Sequence, residues 1–135
     1  MEVIFSVPGK PKGKGRPRFA GRGKVYTPES TKRYENLSAL TYKSKIGEMF
    51  YGPLSVSIDC YFAIPKGTAK NKIADMINGK IMPEVTPDAD NISKAVLDAL
   101  NGIAYKDDKQ VAKLCVAKYY TKFEPEIVVK IKNLK

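Results

Sequence analysis

Apolar and polar positions alternate with a period of two over residues 54–62: Leu54, Val56, Ile58, Cys60 and Phe62 share one face, and Ser55, Ser57, Asp59 and Tyr61 the other. That period predicts a half-buried β-strand. Val3, Phe5 and Val7 repeat it over residues 2–7, and a short second strand is expected near residues 23–26. Two later strands are expected near residues 110–119 and 125–132. Elsewhere the period is helical. Thr27-Pro28 opens a segment in which Tyr34, Leu37, Leu40 and Tyr42 supply an apolar face, with an end expected near Gly52-Pro53. A short helix is expected within residues 66–80 around Ile73, Met76 and Ile77, its lysines turned to solvent or to a bound partner. The clearest helix is the third. Ile92, Ala95, Val96, Ala99, Leu100 and Ile103 recur at helical spacing after Pro87-Asp88, and Asn101-Gly102 suits its end. The order predicts an α+β chain: a small mixed sheet packed with helices in two layers, with no repeat and no linker to divide it.

Composition narrows the class. At 135 residues and 43% hydrophobic content the chain suffices for one domain with a real core, residues 1–135. No apolar run approaches eighteen residues, and the apolar N-terminus gives way at once to prolines and lysines, so neither a membrane span nor a secretion signal is expected. Cys60 and Cys115 each lie in an apolar strand-like run, where a free thiol is expected to serve as a small buried hydrophobe. That usage fits a reducing cytoplasm. The sequence contains no histidine, which excludes histidine-metal nucleases and histidine general bases.

The formal charge of +10 changes the picture, because such a surplus on a small domain points to a polyanionic partner. It is concentrated in residues 10–24, where Lys10, Lys12, Lys14, Arg16, Arg18, Arg22 and Lys24 occur with no acid among them, interspersed with Gly and Pro. The segment reads as an extended, mobile loop able to follow a phosphate chain through counterion release. A solubilising charge run is the plainer reading.

Acids cluster where bases do not. Asp88, Asp90, Asp98, Asp107 and Asp108 belong to one short stretch of a chain that holds only 14 acids. Gathered carboxylates repel one another unless a cation neutralises them, and hard oxygen donors suit magnesium or manganese. Each piece also has a plainer reading. Asp88 or Asp90 suits a helix N-cap, Lys94 could pair with Asp90 one turn away, and Asp107-Asp108 could form a turn. Their joint occurrence at a helix start and beyond its end favours a site.

The composite Pro87-Asp88-Ala89-Asp90-Asn91-Ile92-Ser93-Lys94, Leu97-Asp98-Ala99-Leu100-Asn101-Gly102 and Tyr105-Lys106-Asp107-Asp108-Lys109-Gln110-Val111 resembles the signature of RusA Holliday junction resolvases. The basic run from Pro8 to Phe19 resembles the family's N-terminal segment, so the likeness covers most of the chain. The resemblance implies a homodimeric α+β endonuclease of bacteria and their prophages that resolves four-way DNA junctions by paired incision, with Mg2+ or Mn2+ and no organic cofactor. It implies Asp88, Asp90 and Asp108 as catalytic metal ligands, with Asp107 the alternative third ligand, and Lys94 as the essential lysine. A bound ion would activate water, and Lys94 would neutralise charge that builds up on the phosphate. Two other classes stay open at this point: a non-catalytic nucleic-acid-binding protein, and a nuclease for flaps or other branched DNA.

Overall fold

A computed structural model describes residues 1–14, 18–19, 25–26 and 29–134. Strand β1 (Glu2–Pro8) leads through the paired short strands β2 (Arg18–Phe19) and β3 (Val25–Tyr26) into helix α1 (Glu29–Lys45). Then follow β4 (Leu54–Ala63), α2 (Lys70–Ile77), α3 (Ala89–Leu100), β5 (Val111–Thr121) and β6 (Glu126–Asn133). The main sheet has the order β1-β6-β4-β5, with β4 and β5 parallel and the other neighbours antiparallel. A parallel pair cannot be joined by a hairpin, and the α2–α3 crossover makes the connection. The architecture is the α+β one expected.

The strand pattern sets the layers. Leu54, Val56, Ile58, Cys60 and Phe62 are buried against α1 and α3, and join Phe5, Val7, Ile127, Val129 and Ile131 in one core. From α3 the core takes Ile92, Val96 and Leu100, and Tyr105 beyond the helix end is fully buried. Helix α1 differs from expectation. It buries Thr31, Tyr34, Ser38 and Tyr42, whose spacing of three and four follows one stripe of a helix, and leaves Leu37 and Leu40 at 40% and 63% exposure. A serine on the buried stripe is tolerated because its Oγ donates to the Tyr34 carbonyl at 2.9 Å. The helix also ends well before Gly52: the Ile46 and Gly47 amides both donate to the Tyr42 carbonyl, and Gly47 takes φ 73°, the left-handed conformation common just past a helix end.

Cys60 is buried, but Cys115 is exposed, contrary to the expectation that both thiols lie inside. The register gives the reason. Cys115 pairs with Ser57, on the sheet face away from the helices, and β5 is an edge strand. Burial, and next to it the Asp59 charge, pushes the Cys60 thiol up to about 12. One thiol per folded chain, that of Cys115, should therefore react with a disulfide reagent at neutral pH, and Cys60 only after denaturant is added. Alkylation followed by peptide mass spectrometry checks the assignment.

Two side chains fix the crossover. The Lys118 ammonium lies 5.2 Å from the Phe62 ring centroid and donates to the Val85 carbonyl, which holds the approach to α3 on β5. At the other end the Tyr105 hydroxyl donates to the Leu97 carbonyl at 2.7 Å. Among the described residues no helix is long and apolar enough to cross a membrane.

Candidate active site

The acids are placed by helix α3 and the turn that follows it. Asp88 is the N-cap, its Oδ1 accepting from the Asn91 amide at 3.1 Å. Asp90 stands in the first turn, where the helix dipole favours negative charge, and its carbonyl accepts from Ser93 Oγ at 2.7 Å. Both are exposed. Past the other end, Asn101 Oδ1 accepts from the Asp108 amide at 3.1 Å. Asp107 caps the short 3-10 turn Asp108–Gln110: its carboxylate accepts from the Lys109 amide at 2.9 Å, and that backbone donor holds its pKa below the usual carboxylate value. Gln110 completes the cap through Oε1, which accepts from the Lys106 and Asp107 amides, while its Nε2 donates to the Phe50 and Gly52 carbonyls. Of the adjacent pair, Asp107 is engaged in the turn. The Tyr105 hydroxyl has its pKa raised far above the usual phenol value by burial first and by the charges of Asp108 and Asp98 next.

The fold does not bring all three aspartates together in one chain. Twelve helical residues separate Asp88 from Asn101, a rise of about 18 Å. Asp88 and Asp90 therefore share one end of α3, and Asp108 lies toward the other. Among the described residues no three acids or thiols are grouped to hold a metal ion. The oxygen donors suit a hard cation in kind, but within one chain their spacing does not fit a single ion held by all three.

Lysine placement also departs from what the sequence suggests. Lys94 is 61% exposed and makes its ion pair with Asp98, at 3.7 Å, one turn onward instead of one turn back toward Asp90. Lys14, expected on phosphate, is docked instead. Its Nζ lies 2.6 Å from Glu35 Oε2 and 3.2 Å from Asp98 Oδ2, and the side chain is only 18% exposed. Burial alone would lower the Lys14 pKa, but the hydrogen bonds and charges of Glu35 and Asp98 outweigh it and raise the value. The Lys14 amide donates to the Asn91 carbonyl at 3.0 Å, and a Cβ on Gly13 would come within 2.9 Å of the Asn91 and Pro87 side chains. With Gly9 donating to the Pro125 carbonyl, residues 9–14 are anchored at both ends, in contrast to the mobile loop expected.

Lys10 and Lys12 remain exposed and line, with Ser30, Arg33 and Tyr34, a cleft of about 290 Å³. Arg16, Arg22, Lys24 and the helix start at Thr27-Pro28 lie outside the described residues, and Arg18 is described only through its backbone in β2. Sequence reasoning missed Glu35 and Arg33 and gave Asp98 no role. Nothing local marks Glu35, because its partner Lys14 is 21 residues away.

Fold and site together define a basic α+β protein that presents carboxylates and lysines along one helix, beside a lysine-rich segment docked on that helix. Residues 8–132 match Endodeoxyribonuclease RusA, and the chain belongs to that family. It is also similar to the uncharacterized protein YqaN of Bacillus subtilis (strain 168), at 38% identity over 98% of this chain and 96% of that protein.

Proposed function

We propose that the protein is a metal-dependent, structure-specific endonuclease that resolves four-way DNA junctions by paired incision in recombination and repair, as a cytoplasmic enzyme of a bacterium or its prophage. Membership of an endodeoxyribonuclease family supports DNA hydrolysis as the reaction class. The observation that carries the reading is the seating of the basic segment on the acid-bearing helix, Lys14 amide to Asn91 carbonyl and Gly13 against Pro87. A phosphate chain that follows Lys10 and Lys12 is thereby led to Asp88, Asp90 and Lys94.

The residues then divide the work. Asp88 and Asp90 are the exposed oxygen donors for magnesium or manganese, an ion that supplies an activated water and charge neutralisation when bound. Asp108 is the third carboxylate of the proposed set and is not grouped with them in its own chain. A second copy can supply the missing donor, and this is the physical ground for proposing a homodimer. Two-fold symmetry would also present two sites to opposed strands of a junction. Lys94, exposed one turn past Asp90, meets the phosphate. Lys10 and Lys12 bind the backbone without reading its sequence.

The test incubates the protein with a mobile four-way junction, a flap and a nicked duplex, with and without magnesium. Magnesium-dependent, symmetrically paired cuts in the junction are expected. Cutting confined to flaps would reassign the substrate, and binding without any cutting would make the protein a non-catalytic binder. Replacing Lys10 and Lys12 with alanine should weaken binding for all sequences alike. Each phosphate no longer neutralised should reduce the slope of log affinity against log salt by about 0.9.

A further inference from the structure

Four charged side chains form one group on the flank of α3. Lys14 Nζ lies 2.6 Å from Glu35 Oε2 and 3.2 Å from Asp98 Oδ2, and Lys94 Nζ lies 3.7 Å from that same Asp98 oxygen. Two lysines and two carboxylates cancel, so the group is neutral as a whole. Its two lysines are not equivalent. Lys14 is 18% exposed and has the closer contacts, whereas Lys94 is 61% exposed and holds Asp98 loosely. Lys14 is also fixed through its backbone, by the amide bond to the Asn91 carbonyl, so its ammonium is delivered to Asp98 by the same anchor that seats the basic segment.

We propose that Lys14 is a positioning residue: by saturating Asp98 it leaves Lys94 free to turn toward the phosphate of bound DNA. This rests on the nuclease reading given above. Without the Lys14 charge the group carries a net negative charge, and Asp98 has one ammonium left to it. Asp98 then draws Lys94 onto itself and away from the phosphate. Charge near the site also rises in the sense that repels the substrate. Lys14 thus acts on cleavage while touching no phosphate, which separates it from Lys10 and Lys12.

The experiment measures single-turnover cutting of a four-way junction, junction binding across a salt series, and the acetylation rate of the Lys94 amine by peptide mass spectrometry. The variants are Lys14→Gln, Lys14→Arg and Lys14→Gln/Asp98→Asn. Glutamine keeps hydrogen-bonding capacity at this position and lacks the charge. Lys14→Gln should cut roughly ten- to a hundredfold more slowly, as expected when a reacting group is misplaced. Its salt slope should match wild type, and its Lys94 should acetylate more slowly because Asp98 holds the ammonium. Adding Asp98→Asn restores neutrality and should return both the rate and the acetylation to near wild type, and Lys14→Arg should keep most of the rate. A double variant as slow as Lys14→Gln overturns the proposal, as does a salt slope reduced by about 0.9, the mark of a lysine that had been neutralising a phosphate. Wild-type protein that fails to cut would strike the nuclease reading, and the acetylation arm would still decide whether Lys14 governs Lys94.

Discussion

Asp90→Asn should abolish junction cleavage while leaving junction binding as tight as wild type or tighter. Asp90 is exposed in the first turn of α3, and its proposed partner is an ion rather than any protein group. Asparagine keeps the shape of the side chain and removes its charge, so the helix loses little beyond a favourable dipole interaction of about 0.3–1 kcal/mol. The loss of rate should exceed the roughly 10–100-fold that follows when only a residue orienting a metal ligand is removed. Binding moves the other way because one repulsion against phosphate is gone. Asp88→Asn should behave alike, with some loss of stability added. An asparagine N-cap is nearly as good as aspartate, so that loss should stay well under the ~1 kcal/mol typical of removing a cap. Single-turnover cutting beside a gel shift checks the pair. A variant of either residue that cuts at the wild-type rate removes it from the site.

The second large effect concerns the core. Ile58 is fully buried in β4, between Val129 of β6 and Val116 of β5, so neighbouring strands hold the space that truncation would open. Ile58→Ala should cost about 2–5 kcal/mol, a large part of the roughly 5–15 kcal/mol that holds a domain of this kind together. The thermal midpoint should fall by roughly ten degrees or more. Ile4→Ala is the control. Ile4 is 60% exposed in β1, and its truncation should change stability by no more than about 0.5 kcal/mol. Equal losses from the two variants would mean that the open face of the sheet is covered in solution. Calorimetry on both decides it.

Structure is legible in the sequence wherever a period is strict. Residues 54–62 alternate without a fault, and every apolar member is buried. The α3 pattern is equally plain, and of the two aspartates that suited its N-cap, Asp88 and Asp90, the cap is Asp88. Periodicity of apolar residues misleads on α1, where tyrosine, threonine and serine form the buried stripe. A polar residue can share a helix's inner face when its hydroxyl bonds back to the helix, as Ser38 does. Cys115 escapes the pattern because an apolar run does not reveal that its strand will be an edge.

The α+β class, the strong strands, the acid-bearing helix and the family signature can all be read along the chain, since each is written in local period or in contiguous motif. How the acids and bases meet cannot be read there. Asp88 and Asp108 are near in sequence but lie toward opposite ends of a rigid helix, which rises about 1.5 Å with every residue. Lys14, Glu35 and Asp98 are far apart in sequence but converge because β1, α1 and α3 are stacked in one layered core. Local pattern fixes what each segment becomes. The pairing of charges across segments depends on packing, so no spacing along the chain could announce it.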